Sequence, residues 1–268
     1  MTQTSNPPPN QTSCPTLRPD RRQLSYGQRG RLGLICPPTN TVNEAEWAQL
    51  VPEGVTFHSH RMKLHPDTTS DAGLAGLHAD LDAAIAMLKV ADVDVVAYAC
   101  TAGSMISPAR ALPEALTARN GIATVTTAAA IVGALQALGV TKISVATPYH
   151  DALNDHEVHF FADHGIEVLS IAGLGLGAKG PAEFPLIAQT PLDMVAAHAR
   201  ATFAEGSQAL LLSCTDFPTL PLIPTLEAEL GVPVISSNTA TLHGALAAAG
   251  LEDLAIAGAG RLLGGTNV

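Results

Sequence analysis

Aromatic side chains are scarce in this chain. Phe, Trp and Tyr make up 4% of 268 residues, with a single Trp. A core must therefore be assembled from Ala, Val, Leu and Ile, which suits short parallel strands under closely packed helices. Positive charge is also scarce: 14 Lys and Arg stand against 24 Asp and Glu, a formal charge of −10, with no basic run. That argues against nucleic acid as the main partner. It leaves room for a small anion, because backbone N–H groups bind carboxylates even in an acidic protein. No apolar run approaches the roughly 20 residues of a membrane span, so no membrane partner is expected. The four cysteines form no close pair, so neither a disulfide framework nor a structural zinc site is expected.

Met1 to Gln28 is rich in Pro, Thr, Asn, Gln and Ser and lacks the apolar stretch of a secretory signal. It reads as a disordered extension, and a reducing cytoplasm is the expected compartment.

What remains, from residue 29, reads as two similar halves at an offset of roughly 110 residues, too long for a solenoid repeat. The first runs through Arg31-Leu32-Gly33-Leu34-Ile35, Val55-Thr56-Phe57-His58, Val95-Val96-Ala97-Tyr98 and Gly121-Ile122-Ala123-Thr124-Val125. The second runs through Lys142-Ile143-Ser144-Val145-Ala146, Ile166-Glu167-Val168-Leu169, Ala209-Leu210-Leu211-Leu212 and Gly231-Val232-Pro233-Val234-Ile235. Helical spacing connects them, as in Leu81, Ile85 and Leu88 of Asp80 to Lys89, and in Leu192 to Phe203. The expected fold is α/β: two pseudo-symmetric lobes, residues 29–140 and 141–250, each a mainly parallel four-stranded sheet flanked by helices. Residues 251–268 have no counterpart and are expected to pack back on the first lobe.

Two cysteines sit at equivalent points of these halves, in Tyr98-Ala99-Cys100-Thr101 and Leu212-Ser213-Cys214-Thr215. A strand that delivers a thiol to the mouth of a sheet, just before a helix, surrounds it with backbone N–H groups that favour the thiolate. Two such thiols across a cleft can divide the work of attack and proton transfer. Thr101 and Thr215 each add a hydroxyl and an N–H to the same place.

Other residues carry less. Gly173-Leu174-Gly175-Leu176-Gly177 lacks the Gly-Lys-Ser/Thr ending of a phosphate loop and the spacing of a dinucleotide fingerprint, and reads as a flexible active-site loop. Cys36 ends the first strand without a counterpart thiol and reads as packing; Cys14 reads as incidental. His58 and His60 share a strand face but lack a third ligand, so no metal is expected. Asp216 reads as a cap on the following helix, and His243 as an ordinary helical residue.

The chain resembles the aspartate/glutamate racemase superfamily, in its maleate cis–trans isomerase and arylmalonate decarboxylase branch. The resemblance runs from about Arg31 to Leu263. It rests on Pro37-Pro38-Thr39-Asn40-Thr41-Val42, Phe57-His58-Ser59-His60-Arg61-Met62, Tyr98-Ala99-Cys100, Ala146-Thr147-Pro148-Tyr149, Leu212-Ser213-Cys214 and Gly258-Ala259-Gly260-Arg261-Leu262-Leu263. It implies an active site between the lobes and chemistry without a cofactor: Cys100 adds to an alkene, the resulting single bond rotates, and Cys214 serves as acid and base. It also implies that Asn40 and Tyr149 hold substrate carboxylate, with Thr101, Ala102 and Thr215 beside them. Alignment puts Lys179 where maleate isomerases keep a further carboxylate-binding Asn. Cys100-Thr101-Ala102-Gly103-Ser104 resembles the Cys-Thr-Ser-Gly-Ser form of members linked to ectoine breakdown. The leading expectation is isomerisation of a small unsaturated dicarboxylate by a homodimer. The alternative is a two-cysteine racemase of amino acids or hydantoins. Arylmalonate-type decarboxylation fits less well, because that branch keeps only the second cysteine; a carboxylate-binding module without catalysis is the remaining reading.

Overall fold

A computed structural model describes residues 20–65, 70–251 and 255–264. The expected disordered extension lies outside the described residues up to residue 19, and Cys14 with it. From Asp20 the chain is tied down. Arg21–Gln23 forms a 3-10 turn capped by Asp20, and Arg21 donates to both carboxylate oxygens of Asp94 at 2.5 and 2.8 Å.

The first half holds β1 (Gly30–Cys36), α1 (Asn43–Leu50), β2 (Val55–Arg61), α2 (Asp71–Lys89), β3 (Val95–Tyr98), α3 (Thr101–Ser104), α4 (Ala111–Asn120), β4 (Ala123–Thr126) and α5 (Thr127–Ala137). The second holds β5 (Lys142–Tyr149), α6 (Asp151–Asp163), β6 (Glu167–Leu176), α7 (Phe184–Ala188), α8 (Leu192–Thr202), β7 (Ala209–Leu212), α9 (Ile223–Leu230), β8 (Val234–Ser236) and α10 (Ser237–Ala248). A short helix α11 (Gly260–Gly264) follows. Each half makes one four-stranded sheet, ordered β2-β1-β3-β4 and β6-β5-β7-β8, with every pairing parallel. The α/β expectation of two parallel four-stranded sheets flanked by helices therefore holds.

Burial explains the local sequence. β3 and β7 are covered on both faces and read as unbroken apolar runs. β2 lies at a sheet edge and carries Thr56, His58 and Ser59. α2 buries Leu77, Leu81, Ala84, Ile85 and Leu88 at helical spacing, and its start is capped by Ser70, which accepts from the Gly73 N–H at 3.1 Å.

The halves exchange helices. Leu242, Ala245 and Leu246 of α10 share a core with Leu32 and Leu34 of β1 and Val95 of β3. Conversely Ile131, Val132 and Leu135 of α5 share a core with Ile143 of β5, Leu211 of β7 and Ile235 of β8. Each sheet is thus roofed by a helix from the other half, and α5 and α10 pack against one another. Gly244 and Ala130 meet at that contact: a Cβ on Gly244 would lie 3.1 Å from the Ala130 Cβ.

The described part of the C-terminal segment meets both halves. Leu251 reaches β1, where a Cβ on Gly30 would lie 2.7 Å from its Cδ1. α11 packs on α9, α10 and β8, and Ile256, Ala259 and Leu263 share the core that holds Leu32 and Leu34 of β1 together with Leu242 and Leu246 of α10. The glycine-rich run differs from a flexible loop. Gly173 to Leu176 belong to β6, paired with β5. Gly173 is required there by backbone approach, because a Cβ would fall 2.0 Å from the Tyr149 carbonyl oxygen. Among the described residues no helix is long and apolar enough to cross a membrane.

Candidate active site

In each sheet the chain leaves its two central strands in opposite directions. The carboxyl ends of β1 and β3, and of β5 and β7, are therefore the points where loops part and a crevice opens. Residues just beyond those four ends line one cavity of about 460 Å³: Asn40 after β1, Cys100 and Thr101 after β3, Tyr149 at the end of β5, Cys214 and Thr215 after β7. Ala102 and Asp216 complete this part of the wall, and Leu153, Leu176, Phe184 and Ile187 give it an apolar side.

Hydrogen bonds lock the two thiol-bearing turns together. Ser237 Oγ accepts from the Thr101 hydroxyl and from the Cys214 backbone N–H, both at 2.9 Å. Thr215 donates to the Ala99 carbonyl at 3.1 Å and accepts from Asn40 Nδ2 at 3.1 Å. Asn40 Oδ1 accepts from the Val42 and Asn43 N–H groups, both at 3.0 Å. That leaves one Asn40 N–H uncommitted. Asp216 does not cap its own following segment. Its Oδ1 accepts from the Thr41 N–H across the interface at 2.8 Å.

Each thiol has a phenol. Tyr98 hydrogen-bonds Cys100, which also receives the Gly103 N–H. Tyr149 hydrogen-bonds Cys214, which also receives the Asp216 N–H at 3.4 Å. The donors lower both thiol pKa values, yet burial outweighs them. Cys100 is raised above the ordinary thiol range, and Cys214 is pushed up to about 12. Burial thus opposes the thiolate that the strand-end N–H groups favour. Only Cys100 precedes a helix directly, the single turn α3; Cys214 leads into a turn. The two backbones differ as well. Cys100 is extended, with φ −142°, whereas Cys214 has φ +129°, a strained value for a side-chain-bearing residue.

The cavity brings together Cys100, Cys214, Asn40, Tyr149, Thr101, Ala102 and Thr215. It leaves out Lys179, whose side chain is 88% exposed and lies 3.9 Å from Glu183. The chain turns away at Gly177, which does line the cavity, before Lys179 is reached. Cys36 is buried among Leu32 and Leu34, and burial pushes its thiol up to about 12. His58 pairs through Nε2 with Thr56 at 3.3 Å, and among the described residues no three His, Cys, Asp or Glu side chains group as metal ligands.

Several site residues were not singled out from sequence. Tyr98 and Gly103 flank Cys100, but their contact with its sulfur is a matter of turn geometry. A Cβ on Gly103 would lie 2.5 Å from the Tyr98 hydroxyl and 2.9 Å from Cys100 Sγ. Ser237 opens α10, and only the crossing of that helix under the first sheet brings it between the two thiols. One missed signal was present in the sequence: the repeated Asn-x-x-Glu of Asn43 to Glu46 and Asn154 to Glu157, at equivalent places on α1 and α6.

The arylmalonate decarboxylase family model matches residues 32–263. A maleate isomerase of Nocardia farcinica is 31% identical over 246 residues, covering 87% of this chain and 95% of that one. The maleate isomerase Iso of Pseudomonas putida, as a Cys-to-Ala variant solved with maleate, superposes with a TM-score of 0.78 at 28% identity, covering 88% of this chain and 98% of that one. A Cys-to-Ser mutant of the Nocardia farcinica maleate cis–trans isomerase, with a covalently bound succinylcysteine intermediate, superposes with a TM-score of 0.75 at 29% identity, covering 87% and 98%.

Proposed function

The chain belongs to the arylmalonate decarboxylase family, and from that membership and the two thiols of one cavity we propose that it is a cofactor-independent cis–trans isomerase of a small unsaturated dicarboxylate, maleate or a close analogue. The observation that carries the proposal is the pair of cysteines lining one cavity, each bonded to its own tyrosine. A decarboxylase needs one acid; an addition–elimination needs a nucleophile and a separate acid.

Cys100 is the nucleophile. Once its proton is lost to solvent, the thiolate is held by the Tyr98 phenol and the Gly103 N–H. Its sulfur bonds to one alkene carbon, and the π electrons move toward the carboxylate on the other carbon. Oxyanion donors stabilise that charge: the uncommitted Asn40 N–H, the N–H groups that open α3 at Thr101 and Ala102 and the turn at Thr215, and Tyr149 once its one O–H turns from Cys214 to the carboxylate. Cys214, which keeps its proton to high pH, protonates the second carbon. Rotation about the new single bond carries one carboxylate round while the other stays anchored. Cys214 thiolate then recovers the proton, the C–S bond breaks, and the trans isomer leaves with both cysteines as they began.

Incubation with maleate, followed by NMR, should show fumarate forming without added cofactor and undiminished by EDTA. Cys100→Ser should lose nearly all activity and Cys214→Ser most of it. Mass spectrometry of a trapped sample should find a gain equal to the substrate mass on Cys100. An adduct only on Cys214 reverses the two roles. Inert maleate, with loss of optical rotation in an amino acid or hydantoin, overturns the isomerase reading.

A further inference from the structure

The repeated Asn-x-x-Glu puts one glutamate beneath each half of the site, and the two are treated very differently. Glu46 on α1 is 4% exposed and fully paired. Its Oε1 accepts from the Thr219 and Leu220 N–H groups at 2.7 and 2.8 Å, and its Oε2 from Asn238 Nδ2 at 2.7 Å. Glu157 on α6 is wholly buried and has one partner: the Ser213 hydroxyl, which donates to Oε1 at 2.8 Å. Its Oε2 is buried with no partner at all. Glu157 lacks any counterpart of the two backbone N–H donors that Glu46 receives, and it lacks a counterpart of Asn238 as well. Asn238 is the second residue of α10; the second residue of α5 is Ala128, which has no side-chain donor.

A fully buried carboxylate with a single donor is poorly compensated, and such a group keeps its proton. An unpaired neutral hydroxyl costs far less than an unpaired charge. We propose that Glu157 is a positioning residue of the second half-site: as a neutral acid it braces Ser213, which leads directly into Cys214, and its ionisation repels anions from the Tyr149 and Cys214 side of the cavity. Burial pushes its pKa up to about 8, with the Ser213 bond opposing. It is therefore neutral below that pH and charged above it.

The groups facing it are few. Tyr149, on β5, is held neutral by burial first, with Cys214 and Glu157 adding to it. Ser213 faces it from the end of β7, with Cys214 next in the chain. His156, its neighbour on α6, pairs through Nε2 with the Met105 carbonyl at 3.0 Å. Asp216, beside Cys214, has its pKa pushed up to about 6 by burial, with the Thr41 N–H opposing, so it ionises below the range over which Glu157 does.

That a substrate carboxylate occupies this side of the cavity rests on the proposed function; the test does not use turnover. Cys214 is alkylated with iodoacetate, an anion, and with neutral iodoacetamide, and the modified peptide is quantified by mass spectrometry between pH 7 and 9.5. In the wild type the iodoacetate-to-iodoacetamide rate ratio should fall roughly fivefold or more, as expected for a unit charge several ångströms away. In Glu157→Gln it should stay level. Ser213→Ala, which removes the one donor, should move the fall to higher pH. The infrared band of a neutral carboxylic acid should be present at pH 7 in the wild type and missing in Glu157→Gln. An equal fall of the ratio in Glu157→Gln, an unmoved fall in Ser213→Ala, or no such band overturns the proposal. Inert maleate alongside the expected ratios overturns the isomerase reading alone.

Discussion

At the scale of single residues, the two thiols are equivalent in sequence and unlike in physics. Cys100 sits in relaxed extended backbone; Cys214 is held at φ +129° by the Ser237 hydroxyl bonded to its N–H and by the interlobe bonds of Thr215 and Asp216. Such a backbone costs on the order of 1–3 kcal/mol for a residue with a Cβ and little for glycine. Cys214→Gly should therefore be more stable to urea than Cys214→Ala by about 1 kcal/mol. Equal midpoints, or a more stable alanine variant, would show that the surroundings relieve the strain. The matched Cys-Thr pairs were legible in the sequence because strand ends repeat. The difference between them was not, because φ at Cys214 is imposed by Thr41 and Ser237, each far away in the chain.

At the scale of elements, α3 is the smallest helix near the site and the most constrained. Its four residues turn so that the Gly103 N–H meets Cys100 Sγ, with the Tyr98 hydroxyl alongside. There is no room for a methyl group there. Gly103→Ala should lower kcat/KM tenfold or more, about 1.4 kcal/mol of transition-state stabilisation. The loss should appear in the rate of adduct formation on Cys100, with circular dichroism unchanged. Wild-type kinetics in this variant would mean that the Gly103 contact does not hold the thiolate. The glycine-rich segment shows the limit of reading elements by composition. Gly173 looked like flexibility, but it is a strand residue shaved down to let the Tyr149 carbonyl pass. Lys179, placed by alignment at the substrate, falls beyond the turn at Gly177 and faces solvent.

At the scale of the whole molecule, two sheets that look like separate lobes are sewn together. α5 and α10 are exchanged between the halves, and bonds from Asn40, Thr41, Thr101 and Glu46 cross to Thr215, Asp216, Ser237 and Thr219. Neither sheet keeps its cover if the other half leaves. Unfolding should accordingly be one cooperative transition. Trp47, the chain's single tryptophan, donates to the Asn238 carbonyl at 3.1 Å and so reports on the junction itself. Its fluorescence and the far-UV circular dichroism should change at the same urea concentration. Two separate midpoints would show that one lobe stands alone.

The sequence by itself determined the strands, their parallel class and the two halves, because a strand covered on both faces must be apolar throughout and a duplicated pattern keeps its order. It also marked Cys100 and Cys214 from strand ends, and its family resemblance added Asn40 and Tyr149. Only the tertiary structure decided which helix covers which sheet and how Ser237 comes to bridge the two thiol turns. It alone shows how strongly burial raises the thiols and Glu157, because desolvation depends on what surrounds a group in space. The absence of a second donor at Glu157 became visible only when Ala128 and Asn238 occupied equivalent places.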